Sequence, residues 1–431
     1  MATNENLLAK SLNNLQQLQQ QCPQLVLKGT EQLSRTHLMR LLEAGWLREV
    51  VKGWYIPTQP GESDNSADWQ AYFWPFVKAY LESRYGEDWI LSPESAIDFY
   101  TAKTILPVQL VVKSSKANGN VVNLPYGHSI LPIKEDIGTS VVVESRYGLR
   151  LPRLVDALES STVGNDSISE RVARESVKSG QQAFIERLRQ MWKTMRDDVI
   201  ANFSNVPVIS TDVPCYLADI DSRALDDVYC SLIIAGYPVD NELIERVNEG
   251  IVDDSETTLA IKGYLQAFNA VKTSITKILN GQNPGVAVAS DLGTWNRQLR
   301  APFVAHGDLQ LFDLIGYRHE QIYISGARHI PPAPDIVEEA MGAFFDLLIN
   351  EPDARVRAVL GHFMFMFIYP YKTGNGLISH FLLNAMFASG GHPWTVIPTQ
   401  RRREYLDTMY RASADGNIIP LTRLISDIIG N

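Results

Sequence analysis

Residues 355–369, RVRAVLGHFMFMFIY, are apolar on nearly every face, and a second apolar run, LISHFLLNAMFAS, begins only eight residues later at Leu377. A helix that is apolar all round must be buried on all sides. Two such helices joined by a short turn require a large helical body packed around them. Pro370 stops the first helix. Between the two runs lies Thr373-Gly374-Asn375-Gly376, whose glycines let the backbone turn sharply and approach a ligand closely.

Backbone N–H groups at the start of the second helix point outward with the positive end of the dipole, an arrangement suited to phosphate. A plain helix–helix turn has the same composition, since Asn and Gly are common in turns. The residues around the turn are Tyr369, Tyr371, Thr373, Leu377 and His380, none of them a dependable acid, base or metal ligand.

A chain of 431 residues implies two or three domains, and 45% hydrophobic against 20% charged residues leaves room for a large core. The net charge of −10 argues against a chain coated in nucleic acid, though not against one local basic face. Cys22, Cys215 and Cys230 are widely spaced and odd in number, so neither a disulfide framework nor a zinc site is expected. The polar N-terminus is no signal peptide, and no apolar run is long enough to span a membrane. A cytoplasmic protein without a bound metal is expected.

Along the chain, residues 5–20 form a Gln-rich amphipathic pattern with Leu8, Leu12, Leu15 and Leu18 at helical spacing. Ser34 is placed to cap a helix reaching about Leu42, which Gly45 ends. WLREVVKGWYI then alternates as two short strands around Lys52-Gly53. Helix, turn and two-stranded wing are the plan of a winged helix. Its candidate DNA contacts are Arg35, Thr36, His37 and Arg40 on the helix, with Arg48 and Lys52 on the wing. Residues 1–60 hold six Lys and Arg against four Glu, a balance of +2 that leaves −12 for the rest. That asymmetry has the sign of a DNA-facing end, although winged helices also serve as protein-docking modules.

This segment and the next resemble antitoxin-type regulators of the AbiEi class, through the wing signature Gly53-Trp54-Tyr55, WILSPESAIDFY (89–100) and LPRLVDALES (151–160). The resemblance covers about residues 25–160. The runs LPVQLVVKSS and TSVVVESRYGLRL suit a β-rich middle portion. The composition turns polar at 161–176, placing a boundary near 165. Beyond it the pattern predicts helices at 167–201, 222–235, 240–249, 255–279, 334–350, 353–368, 376–389, 399–415 and 419–429. EQIYISGARHIPP (320–332) is the exception and reads as a short β-hairpin.

The central stretch YPYKTGNGLISH lines up without gaps on the Fic (Fido) signature HPFx[D/E]GNGRxxR. GHFMFMFIYP resembles the family helix before it, with His362 at its first histidine. YISGARHIPPAP resembles the family's flap hairpin, and YRASADGNIIPLTRLI its closing helices. The resemblance covers about 215–431. It implies a domain that transfers AMP from ATP to a hydroxyl, with a histidine base, an acid that holds Mg²⁺, a phosphate-cradling turn and two arginines.

This chain departs from that pattern. Tyr369 stands at the base, Thr373 at the metal acid, Leu377 at the first arginine and His380 at the second; Gly374, Asn375 and Gly376 are unchanged. Tyrosine, with a free pKa of about 10, is a poor base at neutral pH, and loss of a positioned base costs about 10²–10⁴ in rate. Thr373 is a weak ligand for Mg²⁺, and Leu377 removes a charge from a site that works by charge stabilisation. Many relatives also carry an inhibitory helix, [S/T]xxxE[G/N]. CSLIIAGYPVDNELIERV (230–247) resembles it, with Ser231 and Gly236 matched but Ala235 in place of the glutamate.

The expected architecture is therefore multidomain α+β: a winged helix (1–60), a mixed α/β AbiEi-like domain (61–165), a helical linker (166–213) and an all-α Fic/Fido bundle with a β-hairpin flap (214–431). The expected function is that of a degenerate Fic protein acting as a DNA-binding regulator or a nucleotide- or peptide-binding module, of the kind found in toxin–antitoxin systems. ATP or another nucleotide would sit on Gly374, Asn375, Gly376 and His380, without Mg²⁺. A peptide partner would pair with the flap at Ile322, Tyr323 and Ile324, and a homodimer is compatible with this plan. Two alternatives stay open: a nucleotide or phosphate transferase with an altered site, using His380 or His362 as base, and an adaptor with an empty pocket.

Overall fold

A computed structural model describes the chain except for residues 1–3, 61–65, 139–140, 145–146, 162–179, 205–207, 210, 251–252, 254, 325–326 and 431. The expected boundary near 165, the start of the helix expected at 167 and the Ser325-Gly326 tip lie outside the described residues. The chain is mixed α+β, mostly helical, and divides into two compact units. The first comprises residues 1–183 with Tyr323–Ile330; the second comprises Phe184–Ile322 with Pro331–Asn431.

The first unit opens with α1 (Asn4–Gln21), β1 (Leu27–Lys28), α2 (Arg35–Glu43), β2 (Leu47–Val51) and β3 (Trp54–Pro57). The strands form an antiparallel sheet in the order β1-β3-β2, with Lys52-Gly53 turning between β2 and β3. Gly53 takes φ +80°, the left-handed backbone this tight turn needs. Leu15 of α1, Leu38 and Leu41 of α2 and Leu47 of β2 share one apolar cluster.

A second cluster is built on α3 (Ser66–Tyr85), where Trp69, Phe73, Phe76, Val77 and Leu81 are buried at helical spacing. It packs with a sheet in the order β4-β5-β7-β6: β4 (Ile90–Leu91), β5 (Gln109–Ser114), β6 (Val122–Asn123) and β7 (Ser129–Lys134), with β5 and β7 parallel. The hairpin of β8 (Val141–Glu144) and β9 (Leu149–Pro152) and the helices α4 (Pro93–Tyr100) and α5 (Leu154–Ser160) complete it. Ser92 caps α4 by accepting from the Ser95 N–H.

The hairpin expected at 320–332 is not formed among the described residues, and the only ladder contact there is an isolated bridge between Ile105 and His329. The backbone is satisfied instead by other partners in the first unit. Gln70 donates its side-chain amide to the carbonyls of Ile324 and Ala327. The Ile330 N–H donates to Thr104 O at 2.7 Å, and His329 Nδ1 lies 2.7 Å from Thr104 Oγ1.

The second unit is a helical bundle: α6 (Gly180–Asn202, from Phe184 onward in this unit), α7 (Val213–Ala235), α8 (Asn241–Asn248), α9 (Glu256–Leu279), α10 (Pro284–His306), α11 (Pro334–Asn350), α12 (Ala354–Ile368), α13 (Asn375–Ala388), α14 (Arg402–Asp415) and α15 (Ile419–Gly430). At its centre α12 and α13 are buried along almost their whole length. Helix α10 is absent from the sequence reading. Gly285, Gly293 and Pro302 interrupt its pattern, but Asn283 caps it and Pro284 occupies its first turn. Its glycine-bearing contacts are close. A Cβ on Gly263 of α9 would stand 2.1 Å from Leu299 O, so only glycine lets α9 and α10 approach this far.

Candidate functional site

Tyr369 closes α12 in the left-handed region, at φ 52° and ψ 62°. This is an uncommon conformation for a residue with a side chain, and its energetic cost must be met by surrounding contacts. Arg318 supplies them. Its Nε donates to Tyr369 O at 2.8 Å, and its backbone N–H donates to Pro370 O at 2.9 Å. Further along, Asn375 fixes the turn from inside: its Oδ1 accepts from the Tyr371 N–H at 2.9 Å and its Nδ2 donates to Tyr371 O at 2.8 Å. The Asn375 side chain is thus occupied within the turn. Gly374 caps α13 at φ +78° with no side-chain cap bond.

The turn floors a cavity of about 380 Å³, within the size range of small-ligand sites. Tyr369, Thr373, Gly374, Asn375, Gly376 and His380 all line it, as do Ser231 and Ala235 of α7. Gly236 is not among the lining residues; it ends α7 at φ +99°. Ile322, Tyr323 and Ile324 lie elsewhere, the last two within the first unit. Burial pushes the Tyr369 phenol above its ordinary range, partly offset by Asn375, Arg300 and Arg318, so it keeps its proton at neutral pH.

His380 Nε2 lies 2.6 Å from Asp227 Oδ1. Tyr264 donates its hydroxyl to Asp227 Oδ2 at 2.6 Å and lies 3.0 Å from Ser231 Oγ. Burial against Asp227 drives the Tyr264 phenol far up. Ser231 and His380, 149 positions apart in sequence, are therefore linked through the Tyr264 hydroxyl and the buried Asp227 carboxylate. His362 is fully buried beneath, its Nδ1 2.9 Å from Ser379 O and its Nε2 2.8 Å from Tyr405 Oη. Burial lowers its pKa to about 4, so it is neutral and has no free nitrogen to act as a base.

Sequence reasoning missed Asp227, Tyr264, Arg300 and Arg318. The one available signal was an arginine, Arg300, on an otherwise apolar helix face between Leu299 and Phe303. Among the described residues, no group of three or more His, Cys, Asp or Glu could hold a metal ion, and no helix is long and apolar enough to cross a membrane.

In the first unit, Arg35, Thr36 and Lys52 are exposed. The other three expected DNA contacts already have partners. His37 Nδ1 lies 2.9 Å from Ser11 Oγ, and Arg40 donates to Leu7 O and Ser11 Oγ. Arg48 donates to Tyr126 Oη at 2.9 Å.

A largely buried helix pair joined by a glycine turn, with a cavity of small-ligand size over that turn, is the arrangement the comparisons bear on. No protein-family model matches the chain. Among curated proteins it is similar to protein adenylyltransferase Fic of Nematostella vectensis, 32% identical over 114 residues, and to that of Drosophila willistoni, 33% over 115 residues. These matches cover 26% of this chain and 26% and 22% of those relatives, so the chain matches about a quarter of their length. They identify a Fic (Fido) domain in the chain. Among solved structures, Fic-1 of C. elegans aligns over 64% of this chain and 90% of its own, at 17% identity and a TM-score of 0.41. A Fic domain containing signaling protein of Bacteroides thetaiotaomicron aligns over 57% and 93%, at 16% identity and 0.40.

Proposed function

We propose that the cavity over the start of α13 holds a nucleotide or another phosphate-bearing ligand, and that the domain does not transfer AMP at an ordinary rate. The observation that carries this reading is the make-up of one wall. Tyr369, Thr373 and Leu377 stand together where the Fic signature has its base, acid and arginine, and the Tyr369 phenol is held protonated by burial. Mg²⁺ does not fit this donor set: none of the described residues lining the cavity is Asp or Glu, and that ion favours carboxylate and phosphate oxygen. The test is incubation with labelled ATP and Mg²⁺. No label above background is expected on the chain or on lysate proteins. Label that survives repurification and is lost in Gly374→Glu contradicts the reading.

A second reading, an altered nucleotide or phosphate transferase, is favoured by the His380–Asp227 pair at the cavity wall. A carboxylate on one ring nitrogen is how a histidine base is oriented. The curated relatives named above are adenylyltransferases and suit this reading at least as well. A labelled product that depends on His380 and Asp227, and not on Tyr369, separates it from the first.

On the same proposal, α2 with the β2–β3 hairpin is a winged helix that contacts DNA through Arg35, Thr36 and Lys52, in a cytoplasmic regulator of AbiEi-like plan. A peptide partner at Tyr323 and Ile324 would have to displace Gln70 from the Ile324 carbonyl.

A further inference from the structure

Arg300 comes from α10, not from the turn or its flanking helices. It is only 7% exposed, and its Nη2 has no hydrogen-bond partner. It lines the same cavity, and its guanidinium lies against the turn itself: a Cβ on Gly374 would stand 2.9 Å from Nη2 and 3.2 Å from Cζ. Gly374 is favoured by its positive φ, and the same spot leaves room for the guanidinium beside it. A guanidinium nitrogen buried this deeply without a hydrogen-bond partner is costly, because it has given up water and gained no acceptor. Burial pulls the guanidinium below its ordinary range, opposed by the phenols of Tyr237 and Tyr369 and by Asp313, yet arginine stays charged in proteins. The α13 N-terminus beside it adds positive dipole, and its first N–H groups have no side-chain cap.

We infer that Arg300 is the counter-charge of this cavity, supplied from outside the turn where Leu377 has none, and that it pairs with a phosphate group of the ligand. This rests on the phosphate-ligand reading above and gives that site its specificity-determining residue. A phosphate suits two converging donors, the forked guanidinium and the backbone N–H groups, better than a neutral nucleoside does. Packing of the aliphatic stem alone would leave Nη2 buried without a partner.

The test is calorimetric titration of the intact chain with ADP, adenosine and inorganic phosphate, for the parent, Arg300→Met and Arg300→Lys, with a thermal melt of each unliganded protein. The parent is expected to bind ADP in preference to adenosine. Arg300→Met should weaken ADP by about 10–100-fold, the range of a lost charge-assisted contact, and leave adenosine unchanged. Arg300→Lys should recover part of that loss. The melt of Arg300→Met should lie at or above the parent's, since a buried guanidinium nitrogen without a partner has been removed. Equal ADP affinity in parent and Arg300→Met overturns this inference alone. A lower melt for Arg300→Met gives Arg300 a structural role and overturns it too. If the parent binds neither ADP nor phosphate, the phosphate-ligand reading fails and the inference falls with it. Binding of inorganic phosphate without preference for ADP keeps Arg300's role and assigns the ligand to phosphate esters in general.

Discussion

Arg318 Nε donates to the carbonyl oxygen of Tyr369 at 2.8 Å, holding a left-handed tyrosine at the end of a fully buried helix. The same guanidinium also donates to Glu320 O and Pro332 O. One side chain therefore ties together the turn that precedes α13 and the backbone at Glu320 and Pro332. Replacing Arg318 by Met leaves several buried carbonyls without donors, at about 1–3 kcal/mol for each unsatisfied group. The expected outcome is a lower urea midpoint and a weaker response to ADP. An unchanged midpoint would mean that the turn holds itself.

Helix α10 is positioned by a glycine. Gly263→Ala would drive a methyl group into Leu299 O, since the ideal Cβ stands 2.1 Å away. Overpacking of this kind typically costs about 1–3 kcal/mol. Because Arg300 follows Leu299, the separation of α9 and α10 should also weaken ADP binding. A stable Gly263→Ala protein with parental affinity would show that Arg300 does not depend on that close approach.

The Asp227 carboxylate serves His380 on one oxygen and Tyr264 on the other. Asp227→Ala removes both acceptors at once. Loss of about 2–5 kcal/mol is expected, the cost of uncompensated buried polar groups, measured by denaturant unfolding. Asp227→Asn should recover part of it, because an amide oxygen still accepts one bond.

His362 makes stability depend on pH. Its folded pKa is depressed to about 4 from 6.5 by burial. The unfolded chain binds the proton first, so the contribution is fully present above about pH 6.5 and is lost as pH falls toward 4. At 1.36 kcal/mol per unit, the full swing is on the order of 3 kcal/mol. Denaturant unfolding at pH 7 and pH 4.5 should show a larger drop for the parent than for His362→Gln. Equal drops would place the acid sensitivity in the carboxylates instead.

At the other end of the chain, the partners of His37 and Arg40 turn a sequence expectation into a sharper one. Arg35→Ala with Lys52→Ala should weaken a gel shift on the chain's own upstream DNA at low and moderate salt, since phosphate contacts are salt-dependent. Arg40→Ala should instead lower stability by loosening α1 from α2. No shift by the parent, or an equal shift by the double variant, assigns this end to protein docking.

Much of the bundle was legible because its signals are local. The apolar run before Pro370, the Gly374 turn and the hairpin at Lys52-Gly53 are each read from a few neighbouring residues. α3 and α10 escaped notice because Pro75 in one and Gly285, Gly293 and Pro302 in the other break the period. The polar machinery was not legible for a different reason. Asp227 reaches His380 across 153 positions, and Arg318 reaches Tyr369 across 51. Only packing brings such groups together. The expected hairpin failed similarly: its alternation was real, but Gln70 and Thr104 satisfy its backbone in place of a facing strand.

The most direct test is a crystal of the intact chain soaked with ATP and Mg²⁺. The account predicts phosphate density at the Gly374–Gly376 turn, within hydrogen-bonding distance of the Gly376 and Leu377 N–H groups and of Arg300, with no cation bound by Thr373 and no AMP on the protein. An empty turn, or a metal-bound triphosphate with adenylylated protein beside it, would contradict it.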